Sequence, residues 1–161
     1  MSSKRICKFL RAYYYMRLNE LFGRNGLGVP VYTEPLESVE DCTKGQSPES
    51  EVWDLIVKDL TDCINEPNFP NHYTESGRAC KGAAYALRGK AYLLTKEYDK
   101  AIADFAKVGE CGYKLFPDYK QLFKVANERC EEIILAVQYI EDPTGCLLYT
   151  SPSPRDRQKS R

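Results

Sequence analysis

Few side chains in this sequence could do chemistry, and they do not cluster. His72 is the single histidine among 161 residues, so no H-E-x-x-H metal helix is possible, and no G-x-S-x-G nucleophile turn occurs. Cysteines stand at 7, 42, 63, 80, 111, 130 and 146 without a C-x-x-C pair. A zinc site needs closer spacing, and an odd count does not close into a complete disulfide framework. They read as small core or partly exposed thiols, with disulfides or a reactive thiol as the rival reading. Carboxylate pairs occur at Glu131–Glu132 and Asp54/Asp59. Such pairs are routine on solvated faces, and a glycosidase needs two carboxylates set across a cleft, which adjacency does not supply. Gly23, Gly26 and Gly28 lack the lysine and the preceding strand of a phosphate loop. These residues predict no catalytic site, no cofactor and no metal.

What remains is the binding chemistry of aromatic faces. Phe69, His72 and Tyr73 fall in the stretch 65–76, which Asn68, Asn71, Pro67 and Pro70 break into a loop. Loop position alone makes them the candidate ligand-binding residues; the favoured reading is that the loop tucks its aromatics onto the hairpin. Trp53, the only tryptophan, sits within a helical pattern beside its apolar face. That suits filling a groove, with sugar stacking as the alternative. Tyr13, Tyr14 and Tyr15 cannot all point inward from one helix. Helix packing explains them, and a ligand platform is the rival.

Helices must position these groups. The stretch from Gly77 to Val108 carries two helix patterns joined at Lys96–Glu97. In the second, Tyr98, Ala101, Ile102 and Phe105 keep the spacing of a one-sided helix. In the first, Ala84, Leu87, Ala91 and Leu94 form one stripe and Tyr85, Gly89 and Tyr92 the next, so this helix needs neighbours on two sides. Gly89, Tyr92, Ala101 and Phe105 follow the G-x-x-Y…A-x-x-x-F spacing of a tetratricopeptide-type hairpin. Gly89 and Ala101 lack bulk and let two helices approach; Tyr92 and Phe105 fill the space beside them. These four form the predicted hairpin contact. Tyr85 stands where Trp is usual and Arg88 where Leu is usual.

Elsewhere the pattern predicts a helix over 5–22 ending at Gly23, an extended segment over 29–32, and a polar loop over 37–46. Ser47 as N-cap and Pro48 at the first helical position open the next helix. Its apolar face is Val52, Leu55, Ile56, Leu60 and Ile64; Asp54, Lys58, Asp59 and Asp62 take the wet side. A short helix over 118–123 should bury Leu122 and Phe123. The apolar run 133–137 suits a short strand near 132–139, with a buried helix as the alternative.

Several of these pieces resemble one family. Gly77 to Leu87, GRACKGAAYAL, is similar to the GRATKGAAYAL signature of SusD/RagB proteins, the surface nutrient-binding lipoproteins of Bacteroidetes. Phe9–Tyr15 followed by Leu21-Phe22-Gly23 resembles that family's FLRAYYYF…LFG helix. Val29-Pro30-Val31 with Thr33-Glu34-Pro35 resembles its VPL…TEP turn. Glu51-Val52-Trp53 with Ile56, Asp59 and Leu60 resembles its EVY helix. Tyr113, Leu115, Asp118-Tyr119, Leu122-Phe123 and Glu131–Ile134 resemble its Y-x-L…DY…LF…EEII segment. The resemblance spans residues 9–139 and implies a mainly α, SusD-like fold of tetratricopeptide-like hairpins. It also implies non-catalytic capture of nutrient oligosaccharides, or peptides in some members, at the outer membrane. The implied partner is a SusC-like TonB-dependent transporter. The family has no ligand-residue motif to carry over. A soluble tetratricopeptide adaptor binding peptides is the alternative, but no second copy of the hairpin pattern appears near a 34-residue period.

Length and composition bound the rest. The chain holds at most one ordinary domain. Its 43% hydrophobic residues suffice for a core. No apolar run reaches the ~18 residues of a membrane span. The basic start, Met1–Arg5, has no apolar stretch behind it, unlike a secretory signal. The family's signal peptide and lipidated cysteine are thus expected elsewhere, and residues 1–143 read as an internal fragment of a longer SusD-like helical domain. Residues 144–161 lack periodicity and are expected to be disordered. They resemble the conceptual translation of a sequencing adapter, with a genuine Ser/Pro/Arg linker as the rival. The net charge is zero. Four cationic and one acidic side chain in the last seven residues make +3 there and leave −3 for the remainder, and no basic stripe suggests nucleic acid.

Overall fold

The computed structural model describes residues 3–72, 78–127 and 130–136. Four helices carry the fold: α1 (Ser3–Phe22), α2 (Glu49–Asn65), α3 (Lys81–Leu94) and α4 (Tyr98–Glu110), followed by the short α5 (Tyr119–Leu122). Single 3-10 turns lie at Glu40–Thr43 and Val125–Asn127. The only bridges among the described residues, Arg24 with Leu27 and Leu27 with Pro48, are isolated. The chain is mainly α.

Each helix packs on the next in the order α1, α2, α3, α4. α1 and α2 run antiparallel: Cys63 donates to the Arg5 carbonyl, Lys8 pairs with Asp62, and Arg11 with Asp59. α1 buries Phe9, Ala12, Met16 and Asn19, one face at helical spacing. α2 meets it with Val52, Ile56, Asp59, Leu60 and Cys63. α3 has neighbours on both sides, α2 and α4, as its two apolar stripes predict.

Small residues set the close contacts along α3. Its N-cap is Cys80, whose Sγ accepts from the Ala83 N–H at 3.4 Å. Gly82, next along, lies under the ring of Tyr113, which occupies the space a side chain would need. At Gly89 a Cβ would stand 2.8 Å from a ring carbon of Phe105 on α4. Tight packing of this kind maximises dispersion between helices. Lys96, at φ 65°, reverses the chain between α3 and α4.

Several sequence expectations need correction. Ser47 does not cap α2, which starts without a side-chain cap. Instead its Oγ accepts from the Val31 N–H and its carbonyl from Gly28. Asp59 is not on the wet side of α2; it is 1% exposed and bonded to Arg11. Phe123 is exposed, because no helix among the described residues packs closely over the short α5. Leu94, Tyr98, Ile102 and Phe105 remain substantially exposed as well. Over residues 132–136 the chain forms turn and coil; 137–139 of the expected strand, and all of 144–161, lie outside the described residues.

Candidate ligand-binding site

The three candidate aromatics part company in the structure. Phe69 is a core residue, 4% exposed, with the Arg5 guanidinium 6.0 Å from its ring centroid; no solute reaches its faces. His72 is exposed, and its ring leans on Tyr113 at 4.8 Å. Tyr73 lies outside the described residues. Trp53 is half-buried against the core, and its indole N–H donates to Glu49 at 3.1 Å. Of the three tyrosines of α1, Tyr14 faces solvent. Tyr15 turns inward, and its hydroxyl accepts from the Tyr32 N–H at 2.7 Å.

That last bond leads to a concave surface the sequence reading passed over as a turn and a polar loop. Residues 31–37, with Asp41 and Lys44, line an open cleft of about 420 Å³, within the usual size of small-molecule sites. Its inner wall is fixed from three directions. Tyr15 holds the backbone of Tyr32, Ser47 holds Val31, and Arg11 reaches the Thr33 carbonyl at 3.4 Å. Its outer wall is the 3-10 turn, braced by Asp41, whose carboxylate accepts from the N–H groups of Glu37 and Ser38. Lys44 spans the two walls: its Nζ donates to the Val31 carbonyl at 2.7 Å and sits 5.9 Å from the Tyr32 ring centroid. Sequence held a signal for this place: an aromatic between two prolines, then three carboxylates and a lysine within ten residues.

Two ion pairs with buried carboxylates brace the helical scaffold. Arg11 grips Asp59 through two bonds of 2.6 and 2.8 Å. Arg88 grips Asp104 through two of 2.7 Å and donates to Thr61 at 2.9 Å, tying α3 to α4 and α2. Two-pronged guanidinium–carboxylate geometry fixes orientation as well as distance. The guanidinium of Arg88 also lies beside Tyr85 and Tyr92, which explains an arginine where the hairpin pattern has leucine. Beneath His72, burial and a hydrogen bond with Cys80 push the Tyr113 hydroxyl well above its ordinary pKa; it is a neutral packing group. Among the described residues no group of three or more histidine, cysteine or acidic side chains is placed to hold a metal.

The described residues thus form a helical-hairpin scaffold that presents a polar, aromatic-bearing cleft. Residues 3–93 match the model of a SusD-like family described as starch-binding and associating with the outer membrane, and the chain belongs to this family. It is 35% identical to a SusD-like protein of Bacteroides fragilis, over 84% of this chain and 26% of that one, with a TM-score of 0.70. It is 34% identical to a laminarin-binding SusD-like protein, over 81% of this chain and 29% of that one, with a TM-score of 0.71. It is 27% identical to a surface glycan-binding protein of Bacteroides fluxus, over 81% of this chain and 28% of that one, with a TM-score of 0.68. No curated protein sequence matches. The chain therefore spans between a quarter and a third of the length of these relatives. No helix among the described residues is long and apolar enough to cross a membrane.

Proposed function

We propose that this chain is part of a non-catalytic glycan-capturing protein on the outer surface of a bacterial outer membrane. In this reading residues 1–143 belong to the SusD-like helical domain and serve chiefly as scaffold. The captured oligosaccharide passes to a SusC-like TonB-dependent transporter without any bond being broken, and a lipid anchor holds the protein at the membrane. The observation that supports it most is the family match over residues 3–93, together with identity above 30% to a laminarin-binding relative. Glycan capture needs aromatic faces and a few hydroxyl-bonding groups on a rigid frame, and the interlocked helices supply such a frame. A peptide-binding adaptor would use the same hairpin but gives no reason for the family match.

Native gel electrophoresis with starch or laminarin cast in the gel tests the reading. Retarded migration in at least one glucan is expected. Unchanged migration in both, with retardation by a peptide ligand instead, overturns it.

A further inference from the structure

We propose that the cleft formed by residues 31–37, Asp41 and Lys44 is a subsite for an uncharged hexose unit of a glycan chain. The proposal rests on the glycan-capture reading and adds to it a place and a ligand class. Sugar hydroxyls both donate and accept, so a sugar site needs both kinds of partner within one ring's reach. The cleft has them. Lys44 has three donors, and the Val31 carbonyl takes one of them. Glu34 and Glu37 also line the cleft and their carboxylates make no hydrogen bond among the described residues, so they are open to accept. Tyr32, half-buried beside the lysine, supplies the apolar ring face against which the C–H side of a hexose packs.

Rigidity is the second argument. A loop that had to order itself on binding would lose affinity to conformational entropy. Here the wall that carries Tyr32 is already pinned at 31, 32 and 33 by side chains of Ser47, Tyr15 and Arg11. Two of those side chains come from α1, itself clamped to α2 through Asp59. Scaffold and subsite are thus one mechanical unit, and the wall should not have to form around the sugar.

Charge selects the class. Glu34, Glu37 and Asp41 outnumber Lys44, so an acidic sugar meets repulsion in a site that suits a neutral one. The apolar lining, Val31, Tyr32, Pro35 and Leu36, is interleaved with Thr33, Glu34, Glu37, Asp41 and Lys44, so a wholly apolar ligand would leave those polar groups unpaired.

Isothermal titration of the 161-residue chain with maltohexaose, laminarihexaose and a hexamer of galacturonic acid decides the matter. One neutral hexamer should bind, and the acidic hexamer should bind more weakly. Tyr32→Ala should weaken the neutral sugar by about three- to tenfold, the worth of one aromatic contact. The double change Glu34→Gln with Glu37→Gln, on an exposed loop that bears no core packing, should weaken it comparably and narrow the preference against galacturonate. Helical circular dichroism should stay unchanged in both. Neutral binding that persists undiminished in both variants overturns the subsite and leaves glycan capture standing. Preference for the acidic hexamer overturns the ligand class. Failure of the parent chain to bind any hexamer overturns this proposal and counts against the reading beneath it.

Discussion

Asp59 shows what a single carboxylate does once it is taken out of water. An ion pair at the surface contributes little, but a buried charge left alone is costly, so Asp59 and Arg11 depend on one another. Cys63 sits one turn further along α2 and reports the same environment. Burial first, and the negative charge of Asp59 second, raise its thiol from the ordinary value of 9.0 to about 11. The sign is fixed: above pH 9 the unfolded chain loses this proton while the folded chain keeps it. Stability should therefore be unaffected by this group below pH 9 and fall by about 1.4 kcal/mol per pH unit between pH 9 and 11. Urea unfolding from pH 8 to 11, compared with Cys63→Ala, reads the difference. Equal slopes for the two proteins would mean that the thiol is not desolvated.

At the scale of the element, the α3–α4 hairpin is a contact made by absence. Gly89 has no side chain, and the Phe105 ring fills the space that one would take. Gly89→Leu should overpack the contact and cost about 1–3 kcal/mol in chemical denaturation. Phe105 is 43% exposed and has room to swing outward, which places the expected value in the lower half of that range. Unchanged stability would mean that the ring leaves without loss. The Arg88–Asp104 pair, one residue away on each helix, then keeps the hairpin in register.

For the molecule as a whole, the notable feature is how much apolar surface stays uncovered. Ile6, Leu10, Tyr14 and Leu18 recur every fourth residue along α1 on the side away from its buried face, and all are at least 43% exposed. Contiguous apolar surface of this kind drives association in water. Replacing Leu10 and Leu18 by Ser should therefore lower self-association of the isolated chain in sedimentation velocity without reducing its helical circular dichroism. A chain that is monomeric before and after the change would contradict this.

Sequence periodicity determined the helices and the neighbours on both sides of α3, because helix formation and small-residue spacing are local and repeat along the chain; the family was legible only through the resemblance of particular motifs such as Gly77 to Leu87 and Phe9 to Tyr15. The ion pairs and the cleft were decided by tertiary structure. Asp59 and Arg11 are 48 residues apart, and α2's pattern by itself placed Asp59 on the wet side, since nothing local says a cation waits opposite. For Phe69 the sequence offered both inward packing and ligand contact, and the fold drew it into the core. Tyr32 looked like part of a turn until Tyr15, Ser47 and Lys44 converged on its strand of chain. Local pattern specifies which elements form; which polar groups meet depends on how those elements cross, and that geometry is absent from the order of residues.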